Sequence, residues 1–132
     1  MDHLEIFLLI SDQWIDGPQG YVRLPIHWAI FVSPHISEKG TLFNTLGAPF
    51  YGYTVDIRKK IYPVTSGEAG WLSLGFIPPS KLERLEEIAN STPEPVAKCR
   101  VWAHWFVQRL VDEGMLKKIA LQTFEAAAKN MS

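Results

Sequence analysis

Residues 71–83 read Trp71-Leu72-Ser73-Leu74-Gly75-Phe76-Ile77-Pro78-Pro79-Ser80-Lys81-Leu82-Glu83. The first seven carry aromatic and branched side chains in a short run, the signature of a strand. Two prolines then end it, because proline fixes φ and donates no hydrogen bond. Ser80 and Glu83 stand three apart in a capping-box pattern, which opens a helix through about Ala89. The apolar period changes from two to 3.6 at this point, and it never changes back.

Upstream, the chain reads as strands. Leu4–Ile10 is a continuous apolar run with the length of a buried strand. Residues 16–20, Asp-Gly-Pro-Gln-Gly, are turn chemistry. Pro25–Val32 is a second strand, with His27, Ala29 and Phe31 on one face and Trp28, Ile30 and Val32 on the other. Ser33–Gly40 is a polar connection, Thr41–Leu46 a third strand closed by Gly47-Ala48-Pro49, and Tyr51–Ile57 a fourth. The run Arg58-Lys59-Lys60 suits a solvated edge, where charge discourages unwanted pairing. Thr65–Gly70 is a loop before the fifth strand, Trp71–Ile77.

Downstream, the chain reads as helices. Asn90–Pro95 is a break, Val96–Glu113 an unusually apolar helix stopped by Gly114, and Met115–Ala128 a third helix. In the last, Leu116, Ile119, Ala120, Thr123, Phe124 and Ala127 share one side. Strands first and helices second predict an α+β domain: an antiparallel sheet of about five strands followed by three helices packed on it. With 132 residues, this is a single domain, 1–79 mainly strands and 80–132 mainly helices. The two apolar helices bury more than a small domain readily covers, which suggests a homodimer.

Composition narrows the function classes. Hydrophobic residues make up 47%, enough for a real core, so disorder is excluded. Thirteen basic against fourteen acidic side chains give a net charge of -1, which argues against a dedicated nucleic-acid binder. The apolar run at the N-terminus is too short to span a membrane and follows acidic residues, where a secretory signal carries positive charge. A single cysteine fits a reducing, cytoplasmic setting. Neither HExxH nor CxxC occurs, so no metal and no cofactor is expected.

The chemistry-bearing residues are Cys99 and four histidines. Cys99 lines up with Ala103, Phe106 and Leu110 on the apolar stripe of its helix, as a small packing residue does. It also lies towards a helix start, where the dipole and free N–H groups favour a thiolate. With Thr92 as the cap and Pro93 as the first residue, it would stand nearly two turns in, beyond most of that effect. His104 shares a stripe with Arg100, Gln108 and Asp112 and faces water. His27 is the better partner, since a polar ring inside an apolar strand needs a hydrogen bond. His35 and His3 are surface residues. Trp14, Trp28 and Trp102 are candidates for lining a substrate pocket, as is Trp71, although aromatic residues beside a sheet also serve as simple packing.

Three segments in this order, His27 in IHWAIFV, Asn44 in GTLFNTLG and Cys99 in KCRVWAHWFVQRL, resemble the circularly permuted papain-like thiol enzymes. These include the lecithin:retinol acyltransferase-like and permuted NlpC-like families. The segments look more closely like a set of small fungal proteins with a His-Trp strand, a Gly-Thr-Leu strand and an Asn-Cys-Gln-x-Trp helix start. The resemblance spans roughly His27 to Leu116 and implies Cys99 as nucleophile, His27 as its base and Asn44 as the group that orients the ring. A neutral amide serves that last role in papain-like proteases. Lys98 and Arg100 stand where the fungal set has Asn and Gln, and Asp56 is a rival orienting group. The reading that follows is a cysteine-dependent acyl-transfer enzyme (hydrolase, acyltransferase or cyclase) acting on a small ester, amide or thioester, in a fungal setting a tailoring step on a metabolite. The alternative is a non-catalytic small-molecule-binding or protein-interaction module on the same scaffold. Acid–base work by His27 with Asp56 or Asp16 is a third route.

Overall fold

A computed structural model describes residues 3–17, 20–35, 37–48, 52–62, 69–94 and 99–131, with the side chains of all but 11–26, 48, 69 and 131. The five strands are β1 (Leu4–Gly17), β2 (Gly20–Ser33), β3 (Gly40–Ala48), β4 (Gly52–Ile61) and β5 (Ala69–Ile77). The helices α1 (Leu82–Ser91), α2 (Cys99–Asp112) and α3 (Lys118–Met131) follow. The strands form one antiparallel sheet in the order β4-β3-β2-β1-β5. This is the α+β arrangement expected from the change of period at Pro78.

Both faces of the central strands are buried, which is why Ile6–Ile10 reads as an unbroken apolar run rather than an alternation. Leu4, Ile6, Leu8 and Ile10 join Trp28, Ile30, Val32 and Phe43 in the main core with the helices. Phe7, Leu9, Ala29, Phe31 and Leu42 form a second cluster on the other face, flanked by Ile61 and Trp71. The β1–β2 hairpin is longer than the sequence suggests. It pairs from Glu5↔Ser33 to Gly17↔Gly20, with a bulge between Ser11 and Gln13.

The β4 strand is an edge, as its charge run indicated, and it runs on through Arg58, Lys59 and Lys60. Lys59 reaches Glu86 of α1 at 3.1 Å. The Val55 N–H donates to the Glu94 carboxylate at 3.1 Å, which satisfies one backbone donor of β4.

The helix boundaries differ from expectation. No capping box forms: Pro79–Lys81 is a short 3-10 turn, and Lys81, at the N-cap of α1, makes no side-chain capping bond. Two successive prolines favour that tighter turn over a serine cap. Thr92 does not open the next helix. It closes α1, its hydroxyl donating to the Ile88 carbonyl at 2.7 Å. Cys99 is the first described residue of α2, while the expected helical positions 96–98 lie outside the described residues.

Gly114, with φ 78°, ends α2 in a Schellman arrangement: the Gly114 N–H donates to Val111 and the Met115 N–H to Leu110. The α3 helix starts three residues late because Met115–Lys117 is spent leaving that turn. It buries Leu116, Ala120, Phe124 and Ala127 as expected, but Ile119 is exposed and Thr123 bonds back to the Ile119 carbonyl at 2.9 Å. The i, i+4 line through 116, 120 and 124 faces the core, and 119 and 123 fall on its flank. The α2 helix packs against β2, β3, α1 and α3 together, which accounts for its apolar circumference within one chain.

Candidate functional site

The β2–β3 ladder is short. It pairs Ile30↔Phe43, Phe31↔Leu42 and Val32↔Thr41 and stops there. Beyond it lie Trp28 and His27 on β2, and Asn44 and Thr45 on β3. Released from the ladder, the Trp28 N–H is directed at the sulfur of Cys99, on the first turn of α2. The N–H groups of Cys99 and Arg100 point to the same sulfur.

These three donors, with the Arg100 charge, favour a thiolate. Burial opposes them and is the larger effect, so the thiol is pushed above its ordinary value. Cys99 therefore rests protonated at neutral pH. The phenol of Tyr53, on β4, is also pushed up, first by burial and then by the Cys99 charge.

His27 is held from the other strand. Asn44, 4% exposed, lies within 3.2 Å of His27 Nε2. The orientation of its amide follows from its other neighbour. Asp56, directly opposite Asn44 in the β3–β4 register, presents its backbone carbonyl and Oδ2, both acceptors. The Asn44 NH2 therefore faces Asp56, donating at 2.8 Å to the carbonyl and 3.1 Å to Oδ2, and its oxygen faces His27. An amide oxygen only accepts, so Nε2 carries the proton and Nδ1 keeps its lone pair. Burial lowers the His27 pKa, so the ring is neutral at pH 7.

Asn44 and Asp56 are thus not rivals. They act in series, with the amide between the carboxylate and the ring. By strand alternation, His27 lies on the face of Ala29, while Trp28 points into the main core with Cys99. The Trp28 peptide is the link between the two halves of the site.

Other candidates fall elsewhere. Trp28 packs against Phe124 with ring centroids 5.2 Å apart, and Trp102 against Phe106 at 5.1 Å. At 4% and 0% exposure both are core residues, with no face left for a pocket. The α3 helix covers Trp28, which the sequence could not place. Trp71 lies on the opposite face, its ring edge-on to those of Phe7 and Phe31. The side chains of Trp14 and Asp16 lie outside the described residues.

His104 faces away from Cys99 and stands 3.6 Å from Glu125 of α3, while Gln108 bonds Asp112 on the same stripe. His35 bonds the Ser37 hydroxyl at the surface, and exposed His3 stands edge-on to Phe76. Among the described residues no group of three or more His, Cys, Asp or Glu side chains could hold a metal ion, and no helix is long and apolar enough to cross a membrane. Tyr53 is the residue that sequence reading missed. With Val55 and Ile57 it packs against the main core, and nothing local in the sequence tied it to Cys99.

The model of a family of unknown function (DUF6540) matches residues 21–117, well over half of the chain. The chain belongs to the DUF6540 family. The DUF6540 match begins on β2 ahead of His27 and ends beyond α2. It takes in His27, Asn44, Asp56 and Cys99 and leaves out the whole of β1 and α3. No curated protein and no solved structure matches the chain.

Proposed function

We propose that this protein is a cysteine-dependent acyl-transfer enzyme on a permuted papain-like scaffold, acting on a small ester, amide or thioester. The observations that support the reading are the backbone N–H groups around the Cys99 sulfur and the neutral His27 ring held by Asn44 on the neighbouring peptide of β2, the ring on the Ala29 face and the thiol on the Trp28 face. In the reaction, the His27 ring must first swing past the open end of the β2–β3 ladder towards the Trp28 face; it then takes the thiol proton as the sulfur attacks the carbonyl carbon. The C–S bond forms and the carbonyl π electrons move to oxygen. The imidazolium then returns the proton to the departing alcohol, amine or thiol. Water or an amine next takes the acyl group from Cys99 by the same steps in reverse. Backbone N–H groups at the start of α2 are the donors suited to the oxyanion. Because burial disfavours both charged forms, His27 works as a general base rather than as half of a standing ion pair. The setting this implies is a reducing, cytoplasmic one, and in a fungus a metabolite-tailoring step.

The burial of Cys99, 8% exposed, favours a second reading: a non-catalytic binding module in which the thiol is packing. One experiment separates the two. The native protein is mixed with p-nitrophenyl acetate, nitrophenolate release is followed, and the intact mass and the Cys99 peptide are examined for an acetyl group. The enzyme reading expects a burst, an acetyl group on Cys99, and a rate lowered by about 10²-fold or more in His27→Ala, the usual share of a general base. Acetylation at Cys99 only after unfolding overturns it and leaves the binding module.

A further inference from the structure

We infer that Asp56, clamped by Arg58, is the positioning residue that selects the proton-bearing nitrogen of His27, acting through the Asn44 amide. Asp56 touches neither the ring nor the thiol. It sits on edge strand β4, and its Oδ2 accepts two hydrogen bonds, from Arg58 Nε at 2.8 Å and from Asn44 Nδ2 at 3.1 Å. The arginine fixes that oxygen in place. A primary amide has nearly equal shape in its two orientations, so only its partners decide which end meets the imidazole.

With two acceptors on the Asp56 side, the NH2 turns to Asp56 and the oxygen to His27. Turned the other way, the amide oxygen would meet two acceptors, and its NH2 would demand a lone pair on Nε2. The proton would then move to Nδ1, and the ring would lose the lone pair that a base needs there. Asn44 is buried, so water offers the amide little competing choice. The carboxylate thus reinforces the Asp56 backbone carbonyl in setting the tautomer of a ring with which it makes no contact.

The effect on Cys99 rests on the proposed role of His27, but the tautomer is read independently of any activity. The protein is labelled with 15N-histidine, and long-range 1H–15N correlation spectra are recorded near neutral pH. His27 is assigned by its loss in His27→Gln. Wild type is expected to show a protonated Nε2 and an unprotonated Nδ1. Asp56→Val, which places a good strand former there, removes the carboxylate acceptor and leaves only the backbone carbonyl, moves both nitrogen shifts part of the way towards the average of the two tautomers. Asp56→Asn retains the wild-type pattern, because its amide oxygen still accepts from Arg58 and Asn44. Arg58→Met moves the shifts in the same direction as the valine variant, by less, and carries the test if Asp56→Val does not fold.

An unchanged His27 pattern in Asp56→Val, or in Arg58→Met where the valine variant does not fold, overturns the inference. A shifted pattern supports it, and the acylation rate of Cys99 then judges the enzyme reading separately. A drop of about three- to tenfold in the variant, the weight of one neutral hydrogen bond, is expected if His27 serves the thiol. A shifted pattern with no change in Cys99 chemistry keeps Asp56 as the positioning residue and removes His27 as the base.

Discussion

The backbone N–H of Trp28 points at the sulfur of Cys99, so the thiol sits one peptide link from His27 along β2. Two elements far apart in sequence meet there because the β2–β3 ladder ends at Ile30↔Phe43 and leaves the Trp28 donor without a strand partner. The first turn of α2 fills that gap with an atom able to accept. A buried N–H that met nothing would cost on the order of 1–3 kcal/mol, so the contact also helps to dock the helix.

Burial pushes the Cys99 thiol up, and this gives a sign at high pH. The unfolded chain loses its thiol proton near its ordinary value of about 8.5, whereas the folded chain keeps it. Between the two values the unfolded state binds fewer protons, so stability falls as pH rises. Tyr53, also pushed up, adds a similar loss above about pH 10. Urea unfolding midpoints from pH 7.5 to 9.5 are expected to fall for wild type and to stay flatter for Cys99→Ala. Equal slopes in the two proteins would mean that the thiol is not desolvated.

The His27 shift works at the other end of the scale. Its folded pKa lies below the ordinary value of about 6.5, because burial disfavours the charged ring. At pH values between the two, the unfolded state binds the extra proton. Stability is therefore full above about pH 6.5 and declines as pH falls towards the folded value. His27→Gln, which lacks the titration, is expected to show a smaller loss between pH 7 and pH 5. A steeper acid loss in the variant than in wild type would reverse the assignment.

The sequence revealed the order of elements and most of their faces, because those depend on local period. Trp28, Ile30 and Val32 do point one way and Ala29 and Phe31 the other, and Gly114 does end α2. The pairing of His27 with Asn44 was anticipated from resemblance rather than from spacing, since seventeen residues separate them and strand register is not written in either segment. Three features escaped. In sequence Asp56 reads as a rival to Asn44, and only the Asn44↔Asp56 register shows the two in series. The thiolate favoured at a helix start is overruled by burial, a sum over neighbours distant in sequence. Trp28 and Trp102 look like pocket residues until α3 and Phe106 cover them.

Arg109 joins two helices at the point where the chain leaves α1. Its Nη1 donates to the Ile88 carbonyl at 3.0 Å, the Ser91 hydroxyl at 2.7 Å and the Thr92 hydroxyl at 3.3 Å. These are a last-turn carbonyl and the two hydroxyls that themselves bond back to it, so the guanidinium ties together the groups that close α1. A charged donor placed there also complements the negative end of the α1 dipole. Arg109→Met keeps most of the aliphatic stem and removes the donors. It is expected to lower unfolding stability by about 1.5–3 kcal/mol, the range for hydrogen bonds to a charged group. Arg84→Met is the surface control. Its ion pairs with Glu113 and Glu87 are exposed and screened by water, so a clearly smaller change than in Arg109→Met is expected. Equal losses in the two variants would refute the distinction.

Gly40 opens β3 at the end of the connection from β2, and the reason for glycine there is space. A Cβ on Gly40 would lie 2.6 Å from Ser33 Cβ and 2.9 Å from Phe31 Cζ, and closer still to the Val32 carbonyl oxygen. Two of these neighbours are fixed: a backbone carbonyl, and a ring locked in the second cluster with Phe7, Leu9 and Leu42. Neither can give way without opening the β2–β3 ladder, which has only three registered pairs. Gly40→Ala is expected to cost about 2–3 kcal/mol, towards the upper end of overpacking. Because the ladder holds His27 against Asn44, the variant should also weaken the single His27 tautomer. Gly75→Ala is the contrast. Its nearest obstacle is the flexible end of Leu116 at 2.9 Å, so any cost there reflects its φ of 148° and not a blocked ladder. The His27 spectrum should be unchanged in that variant. Loss of the tautomer in Gly75→Ala, or its retention in a destabilised Gly40→Ala, would break the link between the short ladder and the site.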